Sequence, residues 1–162
     1  MTSSIDSLNA LKARLHNRRS AVVLGLVGLA GVHIMDLPGK WEDTFYLAVA
    51  YIAIIAAAAV LIERLTVKGS RFDYLAAAAL SSAVLVGFVV NRTVGMPNAM
   101  DDIGNWFEPL GLLSLGIELF AVWHSLAGFL AVRKIERLTA ERFVEKVTSF
   151  ARDATKPASA AS

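Results

Sequence analysis

Residues 91–118 read NRTVGMPNAMDDIGNWFEPLGLLSLGIE, and they lead from one long apolar run, Tyr74–Val90, into another, Pro109–Val132. Gly95 and Pro97 break a helix arriving from the first run. Pro109 suits the opening turn of the second, where its missing N–H costs nothing. Between the breaks lie Asp101, Asp102, Asn105, Trp106 and Glu108, which make this a polar connection. Glu118 then falls nine residues into the second run. At ~1.5 Å per residue it lies ~13 Å deep, far from any polar end.

Two further apolar runs precede this pair, Ala21–Met35 and Phe45–Ile62. A bilayer core of ~30 Å asks for about 20 apolar residues in a helix. The chain has 162 residues, of which 56% are hydrophobic, well beyond what a soluble core of that size consumes. The expected fold class is all-α: a bundle of four transmembrane helices at about 20–36, 44–63, 73–93 and 109–132, in a transmembrane domain spanning 20–132. The basic stretch before the first run is long, and no small-residue cleavage site follows it. It therefore reads as a retained helix rather than a signal peptide. Residues 1–19 are expected as an amphipathic cytoplasmic segment, with Ile5, Leu8, Leu11 and Leu15 at helical spacing. Residues 133–155 read likewise, with Phe143, Val147 and Phe150 as the apolar stripe. The tail 156–162 has the low-complexity composition of a disordered end.

Fourteen of the sixteen Lys and Arg residues flank the runs on one side. Only Lys40 and Arg92 fall on the other. The positive-inside rule then places both termini in the cytoplasm and the connections 36–44 and 91–108 outside, in a multi-pass protein of the cell (plasma) membrane. Basic residues this close to a bilayer serve anionic lipid rather than nucleic acid. There is no cysteine, which excludes disulfides, thiolate ligands and a thiol nucleophile.

The two outer connections share a pattern. Asp36-x-x-Gly39-x-Trp41-Glu42 parallels Asp101-x-x-Gly104-x-Trp106-x-Glu108, with one insertion. Pro38 and Gly39 are expected to turn the first connection. The repeat suggests a duplicated helical hairpin about an axis along the membrane normal, which would bring the acids of both connections together. Trp41 and Trp106 suit the interfacial aromatic belt.

Three groups of residues could carry chemistry. The outer connections hold Asp36, Glu42, Asp43, Asp101, Asp102 and Glu108 against Lys40 and Arg92, an excess of acid that would concentrate cations at a mouth. A mid-membrane carboxylate costs ~2.5–3.5 kcal/mol if it faces lipid, so Glu118 should face the interior, be protonated or pair. Arg92 is its expected partner in a structural ion pair; the other reading is a proton or cation site, with His33 above it. His33 ends the first helix and is a weak candidate metal ligand with Asp36 or Glu42, lacking diagnostic spacing. A haem held by two histidines of one chain is excluded by depth, because His33 and His124 differ by ~16 Å. Ser81 and Ser82 read as helix–helix or side chain-to-backbone hydrogen bonds. No nucleophile elbow, phosphate loop or paired-carboxylate signature supports an enzyme.

His33 at the end of the first helix, Tyr46 opening the second, the string Arg92-Thr-Val-Gly-Met-Pro97 and Glu108-Pro-Leu-Gly111 together resemble a group of small, uncharacterised four-helix membrane proteins of bacteria, chiefly actinobacteria. The resemblance covers about residues 20–132. It implies the four-helix architecture and singles out His33, Glu42, Tyr46, Arg92, Gly95, Pro97 and Glu108. It implies no activity.

Three functional classes follow. The first is a protein that handles a cation, proton or metal ion along His33, Asp36, Glu42, Tyr46, Arg92, Asp101, Asp102, Glu108 and Glu118. The second is an accessory or scaffold subunit, using a homo-oligomer or membrane-protein partner and the glycine face Gly25, Gly28 and Gly31 of the first helix. The third is a membrane enzyme or a protein that binds a small lipophile.

Overall fold

The computed structural model describes residues 2–154, with side chains for 8–152. The low-complexity tail at 156–162 and the side chain of Ile5 lie outside the described residues. Four helices account for nearly all of it: α1 (Thr2–Asp43), α2 (Phe45–Val67), α3 (Arg71–Thr93) and α4 (Pro109–Ala154). Each contains a stretch long and apolar enough to cross a membrane. Leu24, Val27, Val60, Val86, Leu119, Trp123 and Leu130 face outward. An apolar exterior is unfavourable in water and is what a lipid solvent requires. The chain is a multi-pass, all-α membrane bundle.

The helices run up and down around a ring in chain order. α1 packs on α2 and α4, and α3 packs on α4, while α2 and α3 touch least among ring neighbours. Lipid removes the hydrophobic drive between helices, so close approach depends on small residues. Gly25 faces Ala121, Gly28 faces Ile117, Gly111 faces Phe88 and Gly128 lies against the Tyr74 ring. At the end carrying the 68–70 turn, Val22, Leu26, Leu61, Leu65, Tyr74, Ala77 and Val132 form a dense core.

The short turn between α2 and α3 follows from its residues. Gly69 takes a positive φ of 61°, and its N–H bonds the Arg64 carbonyl. Ser70 and Asp73 then form a reciprocal capping box, and Arg64 bridges Asp73 at 2.7 Å. The Arg19 guanidinium donates to the Thr66 carbonyl at the end of α2.

Two helices are longer than the sequence implies. The expected turn at Pro38–Gly39 does not form: α1 continues to Asp43, with Pro38 inside it. One proline removes a single helical bond, and Gly39 keeps helical backbone. Lys40 beyond it is tied to Asp102 at 3.3 Å. The reversal is made at Thr44 alone. At the other end, α4 runs unbroken from the membrane run through the expected separate helix at 133–155. No glycine or proline interrupts residues 129–154, and Arg137 pairs with Glu141 one turn on. Residues before Ser20 are likewise continuous with α1. The two connections compared in the repeat thus differ in form: 36–43 is helix, whereas 94–108 is irregular apart from a 3₁₀ turn at Met100–Asp102.

Candidate functional site

A cavity of about 280 Å³ lies toward the end of the bundle that carries the 94–108 connection. All four helices line it. α1 contributes His33, Asp36 and Lys40; α2 contributes Leu47 and Tyr51; α3 contributes Phe88, Asn91 and Arg92; α4 contributes Ser114 and Glu118; the 94–108 connection adds Asp102 and Glu108.

The rim is a network of charges. Arg92, only 5% exposed, donates to Asp102 Oδ1 at 2.8 Å and pairs with Glu108. It also donates to the Asp102 backbone carbonyl, and its guanidinium lies 5.3 Å from the Phe88 ring centre. Asn91 donates to Asp102 Oδ2 at 2.9 Å, beside Lys40. Burial by itself would push the Asp102 carboxyl up; the Asn91 hydrogen bond and the Lys40 and Arg92 charges outweigh it and hold the group below its ordinary range. Gly95 makes this geometry. With φ at 83°, a side chain there would run into Met100 and Ile103. The Arg92 carbonyl then accepts from the Gly104 N–H, which returns Asp102 to Arg92.

One step inward, Tyr51 donates to Asp36 Oδ2 at 2.9 Å and stands edge-on to the His33 ring at 4.6 Å. The other His33 contact is Nδ1 to the Leu29 carbonyl at 2.8 Å. A carbonyl only accepts, so Nδ1 carries the proton and Nε2 is left for other contacts.

Glu118 lies at the inner limit and is fully buried. Ser114, one turn earlier, donates to its Oε1 at 2.6 Å. Its Oε2 has no hydrogen-bond partner among the described residues. The expected Arg92–Glu118 pair does not form. The guanidinium sits beside Gly111, seven residues and so ~10 Å nearer the rim than Glu118, and two rim carboxylates already engage it. Beyond Glu118, Tyr74 Oη, Ser81 Oγ and Ser125 Oγ are buried without partners among the described residues. The expected hydrogen bond of Ser81 is thus not made.

The structure therefore gathers His33, Asp36, Arg92, Asp102, Glu108 and Glu118 at one cavity. It leaves Glu42, Asp43 and Asp101 exposed outside it. Tyr46 is also exposed, donating to the Pro97 carbonyl at 2.8 Å, and holds the 94–108 connection over α2. Trp41 packs edge-on to Phe45, and Trp106 lies edge-on to Phe88. His124 lies against Phe120 in the other half of the bundle. Among the described residues, no three His, Asp or Glu side chains are grouped to hold a metal ion. Tyr51, Asn91 and Ser114 were not legible as site residues. Their only sequence signal is a polar group on an inward face, and the identity of that face depends on packing. No protein-family model, curated protein or solved structure matches the chain, so what the cavity can hold is read from its own residues.

Proposed function

We propose that this membrane protein binds and passes on a cation or proton, with Glu118 as its central site and the cavity as the approach. The observation that carries this reading is the environment of Glu118: a buried carboxylate with one oxygen unpartnered, on a cavity whose two basic residues, Lys40 and Arg92, are engaged by rim acids. A buried charge without an opposite charge is costly. A group kept at that cost in an open cavity is suited to taking up a positive charge. Asp36, whose carboxylate accepts from the Tyr51 hydroxyl, offers an intermediate step. The distribution of Lys and Arg supports an orientation in a cell membrane with the termini cytoplasmic and the cavity mouth outside. The test is uptake by proteoliposomes under an imposed pH gradient, read with a trapped pH-sensitive dye. Uptake should be lost in Glu118→Gln and kept in Asp101→Asn, which alters an exposed acid. Equal uptake by parent and Glu118→Gln would overturn the reading.

A second reading rests on α4 beyond the bundle. Phe143, Val147 and Phe150 are exposed at helical spacing, a stripe suited to a partner helix in an accessory subunit. A stoichiometric partner retained in a native mass spectrum, and lost in Phe143→Ser/Phe150→Ser, would support it.

A further inference from the structure

The cavity has features that a bare ion does not need. Its volume equals about nine waters at ~30 Å³ each. Between the charged rim and Glu118 its walls are largely aliphatic and aromatic, including Val32, Leu47, Ile54, Val84, Phe88 and Leu110. Such walls offer no ligands to a hydrated metal ion, which prefers several oxygens. They do match an apolar body, and the buried Glu118 Oε2 matches one positive charge at its end.

The seam between α2 and α3 points to the route. These helices are held together near their short turn by the core around Leu61, Leu65, Tyr74 and Ala77. Toward the other end the seam is lined by small residues. Ala50 on α2 and Ala83 on α3 line the cavity and are themselves exposed. A side chain at Gly87 would meet nothing within 4 Å. The water-facing mouth, in contrast, is tied by Lys40–Asp102, Arg92–Glu108, Thr44 to the Asn98 carbonyl and Tyr46 to the Pro97 carbonyl. Of the neighbouring helices α2 and α3 pack least, so the apolar side of the cavity is the less closed one, while the polar side is strapped.

From this geometry we infer that the cavity binds a lipophilic organic cation, a protonated amine on a compact apolar body, which enters from the bilayer between α2 and α3 and places its ammonium on Glu118. This rests on the proposed role of Glu118 and adds the ligand class and the side entry.

The test is equilibrium binding of 1-aminoadamantane to the full-length protein in nanodiscs, with the neutral 1-hydroxyadamantane as the isosteric control. A charge-assisted hydrogen bond of ~1.5–3 kcal/mol corresponds to roughly 10- to 150-fold in affinity. Glu118→Gln should weaken amine binding by at least about 10-fold and leave the alcohol within about 2-fold. Gly87→Phe, whose Cβ enters open space, should weaken both ligands and preserve the thermal transition. Equal amine affinity in parent and Glu118→Gln would overturn the inference. Absence of amine binding alongside Glu118-dependent proton uptake would also overturn it and leave the proposed function standing. Loss of both would remove both.

Discussion

Replacing Glu118 by Gln separates the two roles open to a buried acid in this bundle. As half of an ion pair between α3 and α4, its loss would strand a buried guanidinium and cost about 3–5 kcal/mol. The structure engages Arg92 with Asp102 and Glu108 instead, and Glu118 with Ser114. Gln has the same shape, and its carbonyl oxygen accepts from Ser114 as Oε1 does. What is lost is the extra strength of a charged acceptor, about 1 kcal/mol. Against it stands relief of a buried charge that has no cationic partner, worth several kcal/mol when the group is ionised. Glu118→Gln should therefore fold within about 1 kcal/mol of the parent, or be more stable. For a chain of 162 residues, 1 kcal/mol moves Tm by ~2–4 °C. Thermal unfolding in detergent should show a fall of no more than about 4 °C, against roughly 6–20 °C for a broken pair. A fall of about 10 °C or more would refute the account of Glu118 as a site free of structural duty.

The rim gives the opposite expectation. Arg92→Met leaves Asp102 with Lys40 and Asn91 but strips Glu108, which at 37% exposed can rehydrate. The cost should be about 2–3 kcal/mol, seen as a fall in Tm of roughly 4–12 °C; a shift under about 2 °C would show that other contacts hold the rim. Because its folded-state carboxyl is held low, Asp102 contributes stability that is full above its unfolded value of about 3.9 and disappears as pH falls through the folded one. The stability difference between the parent and Asp102→Asn should begin to shrink as pH falls below about 4, and a constant offset would count against the network. Two glycines of α4 should respond with opposite signs. Gly128→Ala drives a methyl into the Tyr74 ring and should destabilise by about 1–3 kcal/mol. Gly116→Ala meets nothing and should stabilise by up to about 1 kcal/mol through helix propensity, both read as Tm shifts.

The four helices were legible because bilayer length and apolar continuity are local properties of the chain. So was the connection at 94–108, where Gly95 and Pro97 end α3 and Pro109 starts α4. Pro38–Gly39 misled because a single proline removes one helical bond and can kink a helix without ending it, and Gly39 keeps helical backbone. The helix expected at 133–155 is present but continuous with the run before it, for a related reason. A change from apolar to charged composition marks where the membrane environment ends, yet nothing at that point interrupts backbone hydrogen bonding, so α4 continues. His33, Asp36, Arg92, Asp102, Glu108 and Glu118 were singled out from their types and depths. Tyr51, Asn91 and Ser114 were not, since an isolated polar residue in an apolar helix faces a neighbour or a cavity according to how the bundle packs.

The sequence alone determined the number of apolar spans, the end of the bundle where acids outnumber bases, and the position of Glu118 within its span, because each is a property of composition or of distance along a helix of known rise. Which acid meets Arg92 was decided by tertiary structure. Gly95 folds the connection back so that Asp102 and Glu108 reach the guanidinium, while Glu118 lies ~10 Å further in along the helix axis. The cavity was decided there too. It exists because α2 and α3 close only near their turn, leaving a space bounded by four separate helices. No stretch of the chain carries that volume in its own residues.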